Sequence, residues 1–330
     1  MKLTLISTVL NEARSLPTLL DSIAAQTRQP DEVVICDGGS TDGTLEPLRR
    51  EQRFPLRVIE RPGANISQGR NAAIEAAAGE VIASVDAGVR LDPQWLEKLV
   101  AQITPTQPSP ATNSASQGRA VVSGFFLPEV HTPFEVAMGA TVLPQLGEIQ
   151  PETFLPSSRS VAFTKAAWQS VGGYPEWLDF CEDLVFDFAL LEKYRPFAFA
   201  PEAIAYFRPR SSLRAFFKQY YLYARGDGKA NLWLKRHLIR YATYFVALPG
   251  IAILGAVIHP GFWLLYFVGA AAYLKRPYQR LGSMLCQQQP MSQLKAIGWV
   301  PIIRIAGDIA KMIGYPVGVG WHIRQRNRGR

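Results

Sequence analysis

A chain of 330 residues with 48% hydrophobic and 19% charged side chains is too long for one small module and too apolar to be disordered or fibrous. Its three cysteines are odd in number and far apart, which excludes a disulfide framework, and no Cys or His spacing suggests a zinc site. The net charge of +8 divides unevenly: residues 1–205 carry 16 Lys and Arg against 25 Asp and Glu (−9), whereas 206–330 carry 19 against 2 (+17).

The apolar run from Leu3 to Leu10 meets Glu12 and Arg14 at once and lacks a cleavage site, so it reads as a buried first strand rather than a targeting segment. Ser15 and Pro17 open a helix with Leu16, Leu19, Leu20 and Ile23 on one face. EVVIC at 32–36 predicts a second strand, 56–59 a third and 81–85 a fourth. Between them the Ala-rich segment 67–78 predicts a helix, with Gly79 as its C-cap. Asp92 and Pro93 precede a further helix carrying Trp95, Leu96 and Leu99. Strands alternating with helices argue for parallel βαβ units. Residues 104–119 read as a flexible loop; strand-like pieces follow at 120–126 and 160–163, and a helix at about 182–193.

The basic half begins near Arg208. Residues 206–237 mix aromatics with Lys and Arg and read as an amphipathic interface segment. Residues 241–258 and 262–274 are runs of 18 and 13 without a charge, joined by His259-Pro260-Gly261. Lys235, Arg236 and Arg240 flank one end of this pair, and Lys275, Arg276 and Arg280 the other. The predicted hairpin, 238–275, either crosses a bilayer and returns or is re-entrant; both place the basic flanks on the cytoplasmic side. A buried helical pair in a soluble domain is the bland alternative. In 276–330, Arg304, Asp308 and Lys311 share one helical face while isoleucines cover the rest, which predicts a helix lying in the interface, followed by a basic tail suited to anionic headgroups. The apolar runs argue against nucleic acid as a partner of this basic half.

An open parallel sheet binds ligands beyond the C-terminal ends of its strands. There the sequence delivers Glu12 after the first strand, Asp37 after the second and Asp86 after the fourth. No GxGxxG or P-loop is present. Carboxylates suit the hydroxyls and N–H groups of a nucleotide, or a divalent cation holding its diphosphate.

The stretches STVLNEARSLPTLLDSIAAQTRQPDEVVICDGGSTDGT, GRNAAIEAAAGEVIASVDAG and GGYPEWLDFCEDLVFDFAL resemble, in this order, the family 2 glycosyltransferases. QYYLYARGDGKAN resembles a downstream element of membrane-bound members, and DIAKMIGYPVGVG a C-terminal helix of related bacterial proteins. The resemblance implies an α/β fold of GT-A (Rossmann-like) type over 1–205, with a membrane-associated helical region behind it. It places Thr8, Asn11, Glu12 and Asp37 at the base and ribose of a nucleotide-sugar donor, and Arg70 and Asn71 beside its diphosphate or ribose. Asp86 becomes the first carboxylate of the Asp-x-Asp motif, holding Mg2+ or Mn2+. Glu182 and Asp183 form the catalytic pair, Asp183 as general base, and Arg225 meets the leaving diphosphate. One departure stands out: the motif's last position is Gly88.

The expected activity is inverting transfer of one sugar to a hydroxyl of a membrane-presented acceptor (a lipid, a polyprenyl-linked sugar or a polysaccharide), with the catalytic domain on the cytoplasmic face of the cell membrane. The C-terminal part is too short for the many-helix channel of a processive synthase. The alternative is a non-catalytic membrane scaffold that retains the fold, which Gly88 favours.

Overall fold

The computed structural model describes residues 1–103, 119–285 and 289–328. The expected loop lies, apart from its last residue, outside the described residues. The chain forms two units. The first comprises Met1–Glu129 and Leu146–Arg208, the second Val130–Gln145 and Pro209–Arg330.

The first unit is built on strands β1 (Leu3–Val9), β2 (Glu32–Asp37), β3 (Leu56–Glu60), β4 (Val81–Ser84), β5 (Val89–Leu91), β6 (Val121–Pro128), β7 (Val161–Thr164) and β8 (Ala198–Phe207). They form one sheet in the order β3-β2-β1-β4-β7-β6-β8-β5. β3, β2, β1 and β4 run parallel, and β7 lies antiparallel to both β4 and β6. Its helices are α1 (Leu16–Ala24), α2 (Leu45–Arg50), α3 (Ile66–Ala76), α4 (Trp95–Val100), α6 (Lys165–Ser170) and α7 (Glu182–Lys193), with α5 (Pro133–Val142) belonging to the second unit.

The central strands are apolar throughout because both of their faces are covered. Leu3, Leu5, Val33, Ile35 and Val81 bury against Leu16, Leu19 and Ile23 of α1 and Trp95 of α4. Ile6, Val34 and Ile82 bury on the opposite face with Ala73 and Ile74 of α3 and Phe186 and Leu190 of α7. Because β1, β2 and β4 run parallel, their C-terminal ends meet at one rim, and Asp37 and Asp86 lie at the ends of β2 and β4.

Gly79 differs from its expected part. α3 ends at Ala76 with Ala77 as its C-cap, and a Cβ on Gly79 would lie 2.7 Å from the backbone nitrogen of Thr4. Gly79 therefore serves a close approach to β1, not a left-handed helix cap.

The second unit adds α8 (Leu213–Lys229), α9 (Leu234–Ala242), α10 (Leu248–Val257), α11 (Leu264–Leu285) and α12 (Pro290–Arg328). A π-helical stretch, Thr243–Ala247, joins α9 to α10. The result is one helix, Leu234–Val257, of 24 residues with mean hydropathy 1.5, the one candidate of membrane-spanning length and apolarity among the described residues. α11 follows the turn at His259-Pro260, and its apolar start gives way to Lys275, Arg276 and Arg280.

α12 is inside out relative to a helix of a water-soluble domain. Asp308 is buried, with its carboxylate accepting hydrogen bonds from Arg240 at 2.7 Å, Tyr244 at 3.3 Å and Tyr273. Ile302, Ile305, Ile309 and Ile313 are exposed. The exposed face of α10 and α11 is likewise apolar, with Ile253, Val257, Phe267 and Val268 open.

Backbones meet closely where α8 crosses α12. A Cβ on Gly314 would fall on the carbonyl of Tyr221, one on Gly318 on that of Arg225, and one on Gly228 on that of Tyr315. Glycines four apart on α12 are thus required by contact, in the manner of small-residue helix crossings in bilayers.

Candidate active site

Asp37 closes β2 and is almost wholly buried. Its Oδ2 accepts the backbone N–H groups of Gly39 and Ser40, each at 2.9 Å, while its buried Oδ1 has no partner within the protein. A buried acceptor left open costs free energy unless a donor reaches it. Thr8, half-buried, stands beside it on β1, where Val9 pairs with Asp37.

The turn after β1 is locked to the loop after β2. Asn11 holds a left-handed φ of 57°; its side-chain oxygen accepts the N–H of Thr41 at 2.9 Å and its own N–H donates to Ser40 Oγ at 2.8 Å. The Glu12 N–H donates to Thr44 Oγ1 at 2.8 Å, and the Glu12 carboxylate takes a hydrogen bond from Ser15.

Asp86 follows β4 and is one-third exposed. The buried guanidinium of Arg70, from α3, bridges it to α7: one nitrogen donates to Asp86 Oδ1 at 2.9 Å, the other to Glu182 Oε1 at 2.6 Å. α3 can carry Arg70 this deep because Gly69 lies against β1; a Cβ there would stand 2.9 Å from Thr8 Cγ2. Asn71 uses all its capacity within the fold. Its oxygen accepts from Trp168 Nε1 and the Tyr174 N–H, and its nitrogen donates to the Tyr174 carbonyl and to Glu176. Its position beside Arg70 thus anchors the 173–176 loop and leaves no donor for a diphosphate.

Glu182 and Asp183 open α7, preceded by Cys181 in the left-handed region at φ 63°. A non-glycine residue held there is a local strain that turns the chain sharply into the helix. Glu182 is buried, and Asp183 half-buried. One turn on, Asp187 is buried with one carboxylate oxygen unpartnered. Burial pushes the Glu182 carboxyl up to about 7 against the pull of Arg70. Burial likewise raises Asp183, and lifts Asp187 well above the carboxylate range with help from Asp183. Burial works against the charge of Arg70, but Glu182 and Asp86 outweigh it and hold the guanidinium protonated. Three carboxyls grouped on one helix N-terminus around a single buried guanidinium retain a proton above the ordinary range.

Asp187, Tyr174 and Arg159 were not singled out by the sequence. Tyr174 stacks on Phe186 at 4.0 Å and lies under Arg70, whose guanidinium carbon is 5.3 Å from its ring centroid. Arg159 stands on the other side of Asp86, its Nε 3.7 Å from Oδ2. The i, i+4 spacing of Asp183 and Asp187 was the available signal for the first; nothing in the pattern of PSSRS marks Arg159. Arg225 lies half-buried on α8 of the second unit.

The expected metal position offers a single protein carboxylate, Asp86. Its donor set is one carboxylate whose two oxygens face Arg70 and Arg159, and position 88 offers none. Among the described residues no group of three or more His, Cys, Asp or Glu is placed to hold a metal ion.

Residues 4–111 match the family described as Glycosyl transferase family 2. The uncharacterized glycosyltransferase alr2836 of Nostoc sp. (strain PCC 7120) is 36% identical over 103 residues, 30% of this chain and 32% of that protein, so the chain spans about a third of this relative's length. Succinoglycan biosynthesis protein ExoA of Rhizobium meliloti (strain 1021) is 27% identical over 302 residues, 83% of this chain and 87% of that one. Mannosyltransferase PcManGT from Pyrobaculum calidifontis, solved in complex with GDP-Man and Mn2+, superposes with a TM-score of 0.59 at 19% identity, covering 94% of this chain and 87% of that one.

Proposed function

We propose that this chain, a family 2 glycosyltransferase through residues 4–111 and of the GT-A fold, moves a sugar from a nucleoside diphosphate to a hydroxyl of an acceptor presented at a membrane. The observation that carries the reading is the Arg70 fork, which ties Asp86 on the donor-side rim to Glu182 and its neighbour Asp183. Asp37 would receive the base or ribose on its open oxygen, with Thr8, Asn11 and Glu12 shaping that end of the pocket. Asp86 would orient the ribose and diphosphate. Asp183 would take the acceptor hydroxyl's proton as that oxygen attacks the anomeric carbon. Its raised proton affinity makes it a stronger base than an exposed aspartate. Glu182, fixed by Arg70, would hold Asp183 in place. A single base opposite the leaving phosphate gives inversion.

The second unit supports a membrane-presented acceptor. A charge of +17 over 206–330 sits beside exposed apolar helix faces, the combination expected of a surface that meets lipid and anionic headgroups. In this reading the protein is held on the cytoplasmic face.

The test is a titration of UDP-, GDP- and dTDP-sugars on the full chain in detergent, with the anomeric configuration of the product read by NMR. Asp183→Asn should keep donor binding and remove turnover. Full turnover by that variant, or retention of configuration, overturns the assigned base. Failure of every donor to bind moves the protein to a non-catalytic scaffold.

A further inference from the structure

The second unit carries more positive charge on one helix face than its own carboxylates neutralise. Arg304, Asp308 and Lys311 stand on successive turns of α12 and share that face. Asp308 is taken up by Arg240 of α9, whose Nε donates to it at 2.7 Å, and by the hydroxyls of Tyr244 and Tyr273. Arg240 Nη1 stands 3.3 Å from His237 Nδ1, and His237 Nε2 stands 3.4 Å from the next carboxylate, Asp227.

The other two cations have no such partner. Among the described residues neither Arg304 nor Lys311 makes an ion pair. Each lies against an aromatic ring instead. The Arg304 guanidinium carbon is 4.7 Å from the centroid of Tyr273, and Lys311 Nζ is 4.8 Å from that of Tyr220. Arg304 Nε is enclosed and has no hydrogen-bond partner within the protein. Lys311 lies in the field of Arg240, Asp308, Arg304 and Asp227, so the three cations act on one another.

Both side chains are half-buried, and the neighbouring positions Ile302, Ile305 and Ile309 expose isoleucine. In such surroundings cations short of counter-charge repel one another, and an enclosed N–H without an acceptor costs free energy. An anion with several acceptor oxygens meets both deficits at once. A guanidinium lying on a ring has its plane fixed, and its planar set of donors matches phosphate. At an interfacial helix the phosphate within reach is that of a lipid, whose chains the exposed isoleucines would meet.

We propose that Arg304 and Lys311 form a binding site for the phosphate of a lipid. The site belongs to the second unit, whereas Asp37 and Asp86 belong to the first. It rests on the membrane placement proposed above and not on the transfer chemistry.

The test uses the full chain in detergent and phosphorus NMR of three probes: a short-chain phosphatidylglycerol, a short polyprenyl phosphate and inorganic phosphate. A short-chain diacylglycerol is the phosphate-free competitor. At least one lipid phosphate should bind, about tenfold or more tightly than inorganic phosphate because its chains are buried as well, and diacylglycerol should not displace it. Preference for phosphatidylglycerol makes the site one for a bilayer lipid; preference for polyprenyl phosphate makes it one for a lipid-linked acceptor. Arg304→Gln and Lys311→Gln should each weaken that lipid about tenfold, the effect of losing a hydrogen bond to a charged group, and Arg304→Lys should recover part of the loss. Lys275→Gln removes an exposed charge from the same unit and should change Kd by less than about twofold. The lipid should also raise the Tm of the parent chain, a readout that needs no variant to fold. The proposal is overturned if the parent chain binds neither lipid phosphate, if diacylglycerol displaces them, or if inorganic phosphate binds as tightly. It is equally overturned if Lys275→Gln loses as much affinity as Arg304→Gln, which is diffuse attraction to a basic surface. Nucleotide titration is a separate measurement: nucleotide binding without lipid phosphate binding removes this inference alone, and the reverse result removes the transferase reading alone.

Discussion

The two units bury charge by opposite rules. The first encloses apolar strands between helices and brings its buried carboxyls to one sheet rim, around Arg70. The second buries Asp308 with Arg240 and two tyrosines, and turns isoleucine, valine and phenylalanine outward. The difference teaches what each unit treats as solvent. A surface of contiguous apolar side chains is unstable in water and stable in lipid, where buried polar groups must pair with one another. In the function proposed above, the acidic unit carries the chemistry and the basic unit meets a bilayer.

Substitutions can break this contrast at its two charged centres. The largest expected effect is on rate: Asp183→Asn should lower turnover by about 10²–10⁴-fold, measured with the donor that binds, while donor Kd changes little. Next, Asp308→Ala leaves Arg240 without its carboxylate and should cost about 3 kcal/mol of unfolding free energy, read as a lower Tm in detergent. Parental stability of that variant would show that the Arg240–Asp308 pair is solvated and that α12 is not packed on its polar face. Gly314→Ala should lose about 1–3 kcal/mol by forcing α8 and α12 apart, whereas Gly320→Ala, where an added Cβ meets nothing within 4 Å, should be nearly neutral.

A smaller effect is expected from pH. The Glu182 carboxyl lies above its unfolded value of 4.5 in the folded chain, up to about 7. The stability that its bound proton confers is complete below pH 4.5 and is lost as pH rises through about 7. Unfolding free energy of the first unit should therefore fall on the order of 1–3 kcal/mol between pH 5 and 8, and Glu182→Gln should flatten that slope. The smallest effect is at the lipid face. Phe267→Ser should leave Tm unchanged and weaken partitioning onto anionic vesicles by about 2 kcal/mol, because that side chain is exposed and contributes to no core.

Much of the first unit was legible because its signals are local. The strands at 3–8, 32–36 and 56–59 and the helix at 182–193 appear within a residue or two of their expected ends. Glu12, Asp37 and Asp86 follow parallel strands, and chain direction alone puts them on one rim. The helix that opens with Glu182 and Asp183 was reachable from its motif. Gly79 was misjudged because what it touches, Thr4, is distant in sequence; the partners that anchor Asn71, in the 173–176 loop, are equally remote. In the second unit the hairpin's apolar runs were plain, but the orientation of α12 was not. Periodicity separates a polar from an apolar stripe without saying which one faces inward.

The sequence by itself determined the alternation of strand and helix, the segregation of acidic and basic halves, and the loss of the second motif carboxylate at Gly88. Those are properties of neighbouring residues and of composition. Only the tertiary structure decided that Arg70 joins Asp86 to Glu182, residues 16 and 112 positions away from it, that Arg159 stands by Asp86, and that Asp308 is buried with Arg240. Each of these pairs a charge with a partner far along the chain, and the free energy that fixes it comes from burial, which no local pattern records.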